Sequence, residues 1–156
     1  MRKCLVVLVS VALTACAATG PVARAARAQQ NTAVVLAFLD MVCNRHDVEK
    51  AFKLYVGPEY RQHNPSVADG KAGAIQGLTG FTHEIYPELR QEVARTVAQG
   101  DLVAVHSRYL RNAADRSSGR GLAAVDIFRL EHGRIVEHWD VVQEVPETSA
   151  NDNSMF

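Results

Sequence analysis

Several things are scarce or missing in this chain. Cysteine occurs only three times, which excludes a dense disulfide framework. Neither charge sign is in excess: 17 Lys+Arg meet 17 Asp+Glu, for a formal net charge of zero. A general nucleic-acid binder would show a basic excess or patch, so that class is set aside. No apolar run approaches the ~20 residues that a membrane-spanning helix needs. No internal repeat is present, and no Gly-rich phosphate loop follows a strand, which argues against a nucleotide cofactor. No compact metal signature such as HExxH or paired CxxC occurs. What remains has the composition of an ordinary globular protein, 156 residues with 47% hydrophobic and 22% charged. That length suits one domain of about 100–150 residues.

The N-terminal residues read as an export signal. Arg2 and Lys3 precede an apolar run from Leu5 to Ala15, broken only by Ser10 and Thr14. The run matches a secretory signal of ~7–15 apolar residues. Leu13-Thr14-Ala15-Cys16 resembles a bacterial lipobox, with cleavage before Cys16 and lipidation of that cysteine. Ala23-Arg24-Ala25 and Ala26-Arg27-Ala28 are the rival small-x-small cleavage sites. The expectation is a signal peptide over residues 1–15 and an exported protein of the bacterial cell envelope. It would be membrane-anchored through Cys16, or else periplasmic or secreted. Losing Arg2 and Lys3 would tip the charge balance slightly acidic. Residues 16–30 lack helix-period hydrophobes and read as a tether. Cys43 is then the one cysteine left in the domain, among apolar residues that suit a small core side chain.

Residues 31–146 form the expected domain. Asn31 or Thr32 can cap a helix on which Val34, Val35, Phe38, Leu39, Met41 and Val42 recur at helical spacing. Asp47 opens a short second helix that Gly57-Pro58 ends, and Tyr60–Pro65 reads as a loop. A third helix is expected from about Lys71 to Leu89. Strands follow over Arg90–Gln99, Leu102–Arg111, Gly121–Glu131 and Arg134–Val145, with Asn112–Gly119 as a polar loop and His132-Gly133 as a hairpin turn. Helices first and an antiparallel meander after make an α+β fold, helices packed on one face of a curved sheet. Curvature leaves a cone whose mouth can hold a small ligand. Residues 147–156 read as a flexible tail whose Met155-Phe156 could fold back over a pocket or a partner.

The chemistry concentrates in the last hairpin. Asp126 and Asp140 sit in strands that otherwise favour apolar and β-branched residues. A two-residue turn at His132-Gly133 pairs position 131 with 134 and puts Asp126 opposite Trp139. A three-residue turn pairs 130 with 134 and puts Asp126 opposite His138, diagonal to Asp140. The second register is preferred. It gathers Asp126, His138 and Asp140 beside Phe128, Val136 and Val142, and gives the helices a face of Ile127, Ile135, Trp139 and Val141. Two carboxyls and an imidazole on an apolar wall form an acid–base set able to move a proton next to a carbonyl; a solvated sheet face is the plain alternative. His63-Asn64-Pro65 could hydrogen-bond a ligand, Pro65 holding Asn64 extended. His106 lies mid-strand, where a structural role is the commoner one. His46, His83 and His132 read as surface residues. Ser107, Ser117 and Ser118 lack a nucleophile-elbow context.

His63-Asn64-Pro65, Asp126-Ile127-Phe128-Arg129 and Gly133-Arg134-Ile135-Val136-Glu137-His138-Trp139-Asp140 together resemble the SnoaL-like polyketide cyclase family, of the nuclear-transport-factor-2-like superfamily. The resemblance covers about residues 31–146. It implies a cone-shaped α+β domain and ring closure by aldol condensation without metal or organic cofactor. It also implies catalytic Asp140, with Asp126 and His138 tuning it. His63 and Asn64 would orient a small apolar carbonyl ligand, and His106, Phe128 and Trp139 would complete the substrate-binding set. The superfamily implies a homodimer through back-to-back sheets. An export signal does not suit a cyclase working beside its synthase, so a noncatalytic ligand- or protein-binding lipoprotein domain is the alternative.

Overall fold

The computed structural model describes residues 20–156, so the expected signal and the lipidation candidate Cys16 lie outside the described residues. Helix α1 runs from Pro21 to Leu39 and starts ten residues before the expected cap at Asn31. The stretch read as a tether is therefore helical from Pro21. Its Ala, Arg and Gln residues are good helix formers, and Pro21 suits the first turn. Apolar periodicity reports only the part of a helix that is packed. Asn31 does not cap; its side-chain amide donates to the Gly100 carbonyl at 3.3 Å. The helix widens into a π-helical turn, π1, over Asp40–Asn44. Helix α2 spans Val48–Tyr55. Helix α3 spans Gly70–Thr79, capped by the Asp69 carboxylate, and runs into a second π-helical segment, π2, over Gly80–Ile85.

Strand β1, Val56–Gln62, takes up much of what the sequence presented as a turn and loop. Strands β2 (Arg90–Gln99), β3 (Leu102–Leu110), β4 (Leu122–Glu131) and β5 (Arg134–Glu144) follow. The expected polar loop between β3 and β4 contains a short helix, α4, Ala113–Ser118, which Asn112 caps and Gly119 ends at φ 69°. The sheet order is β1-β5-β4-β3-β2. Strands β2 to β5 form the expected antiparallel meander, but β1 joins β5 in parallel, so the sheet is mixed and not closed.

The hairpin follows neither expected register throughout. His132 and Gly133 both have positive φ, 49° and 73°, as a two-residue turn requires. Glu131 pairs with Arg134 and Leu130 with Ile135, after which Val136 is an extra residue and Arg129 pairs with Glu137. That β-bulge shifts the rest of the strand by one. Asp126 consequently faces Asp140 directly and Phe128 faces His138. The expected grouping of Asp126, His138 and Asp140 holds, by a different route. Ile135, on the turn side of the bulge, pairs with inward-facing Leu130 and is fully buried, whereas Val141, beyond the bulge on the opposite face, is 71% exposed. The helices thus pack on the same face as the two aspartates, not on a face of Ile127, Trp139 and Val141.

That inner face carries Val103, Val105, Ala124, Phe128, Leu130 and Ile135 against Val35, Phe38, Val42 and Phe52 of the helices. Phe52 is fully buried and meets Phe38 and Tyr60 edge-on, with ring centroids 5.4 and 5.6 Å apart. Among the described residues no helix is long and apolar enough to cross a membrane. Phe52→Ala is expected to cost about 3–5 kcal/mol, read as a lowered urea midpoint with an unchanged slope. A loss under ~1 kcal/mol would mean that the helices are not anchored at this point.

Candidate functional site

Helix α1, both π segments and the inner sheet face enclose a cavity of about 350 Å³, within the range of small-ligand pockets. Phe38, Leu39, Val42, Leu78, Phe81 and Phe128 supply most of its apolar wall. Tyr60, Asn64, Tyr109, Asp126, His138 and Asp140 converge on one side. Ile85 and Val142 line it and are exposed, which marks them as rim.

The two aspartates have different surroundings. Asp126 is 4% exposed. Its Oδ2 accepts the Tyr109 hydroxyl at 2.9 Å, and its Oδ1 lies 3.2 Å from His138 Nε2. Asp140 is only partly buried and faces the cavity. Its carboxylate accepts the Asn64 amide, with Nδ2 at 2.9 and 2.8 Å from the two oxygens. Asn64 is oriented in turn by its Oδ1, which accepts the Ser66 backbone N–H at 2.8 Å. One donor atom from each of Asp126, His138 and Asp140 falls within a 4.8 Å span. These types could hold a cation, but each side chain already has a protein partner, and the set reads as a hydrogen-bonded acid–base network.

Residues that the sequence did not flag complete this network. Gln62, 8% exposed, ends β1 beside His138. Its Oε1 lies 3.0 Å from His138 Nδ1, and its Nε2 donates to the Tyr60 hydroxyl at 3.1 Å. Gln91 donates to Ser107 at 2.9 Å and, at 3.4 Å, to the Tyr109 hydroxyl. Burial, and then the Asp140 and Asp126 charges, push the Tyr60 hydroxyl above the ordinary phenol value. Burial and Asp126 do the same to Tyr109. Both phenols stay protonated; Tyr109 donates to Asp126, while the Tyr60 oxygen accepts from Gln62. Strand period offered one signal: Tyr109 shares the inward parity of Val103 and Val105. Gln62 gave none, because its segment was read as a loop.

Three of the expected ligand contacts are absent from the cavity wall. His63 turns to the outer face, where Nε2 lies 2.8 Å from Glu137 Oε1 and the ring stacks on Trp139 at 4.7 Å. Trp139 faces outward because it pairs with Ile127, one residue out of phase with Phe128 and His138. His106 also lies outside, stacked on Phe156 at 5.5 Å, with the Arg108 guanidinium 4.2 Å from that ring's centroid. The tail thus folds back on the outer sheet face rather than over the cavity. His63, Trp139 and His106 are corrected to outer-face residues, while Asn64, Phe128, Asp126, His138 and Asp140 stay together. Cys43 lines the cavity, but burial pushes its thiol far up, so it remains an un-ionised wall residue.

A helix-wrapped, open mixed sheet is the α+β architecture of the nuclear-transport-factor-2-like superfamily. Within it the chain belongs to the SnoaL-like domain family, whose profile matches residues 35–138. No curated protein matches the chain. Among solved structures it is similar to AclR of Streptomyces galilaeus, assigned as a hydroxylase, at 22% identity and TM-score 0.60, covering 74% of this chain and 90% of that one. It is also similar to a protein assigned as a SnoaL-like polyketide cyclase from Jannaschia sp. CCS1, at 20% identity and TM-score 0.60, with 73% and 85% covered. A protein assigned as a ketosteroid isomerase from Kribbella flavida shows 18% identity and TM-score 0.61, with 80% and 85% covered. At these identities the likeness establishes the fold.

Outside the cavity, Glu137 accepts from His63 and from Arg129 Nε, the latter at 2.7 Å. His63, then Arg129, hold its carboxyl below the usual glutamate value. A lowered folded-state value stabilises the fold above the unfolded value of about 4.3, and that contribution is lost as pH falls through the lowered value. Glu137→Gln should therefore flatten the acid limb of stability, measured as the urea midpoint between about pH 7 and about pH 3. An unchanged limb would remove Glu137 from the acid response.

Proposed function

We propose that the cavity binds a small, largely apolar carbonyl compound and moves a proton on the carbon next to its carbonyl. The observation that carries this reading is the cavity-facing Asp140 carboxylate, held among the described residues by a neutral amide alone and set beside a phenol with a proton to give. Asp140 takes the proton from carbon. Tyr60 donates a hydrogen bond to the oxygen on which negative charge grows. Among the described residues no protein acceptor takes the Tyr60 proton, while Gln62 donates to its oxygen. A donor aimed at developing charge in a water-poor site is worth far more than in water. The proton then returns to another carbon, an isomerisation, or the enolate carbon attacks a second carbonyl whose oxygen takes the proton, an aldol closure. None of these steps calls for a cofactor. The cyclase and isomerase assignments among proteins of like fold support the class of reaction. We further propose export to the cell envelope, supported by Leu5–Ala15 and the Leu13-Thr14-Ala15-Cys16 motif. Loss of the acyl mass and of membrane retention in Cys16→Ser would test the anchor.

The assay is deuterium uptake next to the carbonyl in a panel of small cyclic ketones and diketones, followed by NMR. Asp140→Asn should lower the rate by about 10²–10⁴-fold with an unchanged melting temperature. Tyr60→Phe should lower it by about 10²–10³-fold. No uptake above buffer with the wild-type protein, together with a ligand recovered intact from the purified chain, would instead favour a binding module of the same fold.

A further inference from the structure

Gln62 lies behind the cavity wall, and all of its side-chain polar atoms are hydrogen-bonded. Its Oε1 receives the backbone N–H of Asn64 and that of His63, which is shared with the His138 carbonyl, each at 3.0 Å. An amide turned the other way would set its NH₂ group against those two donors, so the side chain has one orientation. Its Nε2 then points to the Tyr60 hydroxyl at 3.1 Å. Facing His138 is therefore a carbonyl oxygen, which carries no proton. His138 Nδ1, 3.0 Å away, must supply one.

That requirement propagates across the ring. A neutral imidazole protonated at Nδ1 presents a lone pair at Nε2. The partner there is Asp126 Oδ1, at 3.2 Å. A bare carboxylate facing a bare lone pair would be repulsive, so one proton lies between Nε2 and Oδ1. On the other carboxylate oxygen the Tyr109 hydroxyl is a donor, at 2.9 Å, and needs an acceptor there. The proton therefore belongs to the Oδ1 side, whether drawn on nitrogen or oxygen.

Resting on the acid–base reading above, we infer that Gln62 is a positioning residue that fixes His138 as the Nδ1–H form, so that His138 and Asp126 hold one shared proton as a net-neutral pair and Asp140 is left as the anionic member of the cavity trio. The pair is a proton-loaded support for the wall, and the group free to accept a proton from a ligand is Asp140. Gln62 acts through His138 and does not touch the ligand.

The test needs no ligand. Long-range proton–nitrogen NMR of ring-labelled, purified protein reads each ring nitrogen of His138 as proton-bearing or bare, with assignment by His138→Gln. The expected wild-type result is a proton-bearing Nδ1 near neutral pH. A bare Nδ1 overturns the proposal outright. Gln62→Met, which removes the acceptor at similar length, should lose the fixed Nδ1–H signature, and Gln62→Glu, which restores an acceptor, should regain it. An unchanged signature in a folded Gln62→Met also overturns the assignment to Gln62. If Gln62→Met does not fold, the wild-type spectrum and Gln62→Glu still decide. Absence of deuterium uptake would defeat the proposed reaction without moving these nitrogen signals, so the two failures are distinguishable.

Discussion

A single extra residue, Val136, sets the phase of the strand that carries the site. In a strand the side chains alternate, so one inserted residue moves all that follow to the opposite face. Upstream of the bulge Leu130 pairs with Ile135; beyond it Asp126 pairs with Asp140 and Phe128 with His138. Without it Asp126 would sit opposite Trp139, and an indole would meet the helices where the acid–base group now stands. The bulge is accommodated where β1 arrives in parallel. Gly57 lies under it, and a β-carbon there would come within 3.1 Å of the Val136 side chain. A tight turn, a bulge and a glycine together place two carboxyls side by side.

Placing them there carries a cost that the rest of the wall offsets. Buried polar groups are expensive unless hydrogen-bonded. Asp126 is met by Tyr109 and His138, His138 by Gln62, and Tyr109 by Gln91. Asn44 extends the chain: its side-chain oxygen accepts the Gln91 backbone N–H at 2.8 Å, and its Nδ2 donates to the Gln91 carbonyl at 3.3 Å. The first π turn ends at Asn44, so the widened helix and the far strand are clamped to the same network. Both π segments line the cavity, a common placement for such turns.

The fold class was legible because it rests on long patterns. Helical spacing over Val34–Val42, alternation in the strands and the His132-Gly133 turn all survive in the structure. Asp126, His138, Asp140 and Asn64 could be picked out because they are chemically conspicuous. What escaped were features that leave no local mark. The bulge is one residue in a run of good strand formers, and β1 is a strand only because β5 is available to pair with it. Outward turning of His63 and Trp139 depends on that phase, so a reading blind to the bulge could not place them. Gln62 and Tyr60 matter through partners distant in sequence. The helix over 21–30 went unread because propensity alone, without an apolar stripe, resembles a linker.

Strand β1 has a further consequence through its order in the chain. The meander β2–β5 is made of neighbours, each pairing with the next over a short connection. The Asn64–Asp140 and Gln62–His138 contacts instead bridge 76 residues, and long-range closures are the slow ones in folding. The meander supplies Tyr109, Asp126, His138 and Asp140, and the β1 edge supplies Tyr60 and Asn64 across that long separation. The constellation is therefore the meeting of two pieces of chain far apart in sequence. Local opening at that edge would disconnect Asn64, Gln62 and Tyr60 from the aspartates while leaving the meander hydrogen bonds intact.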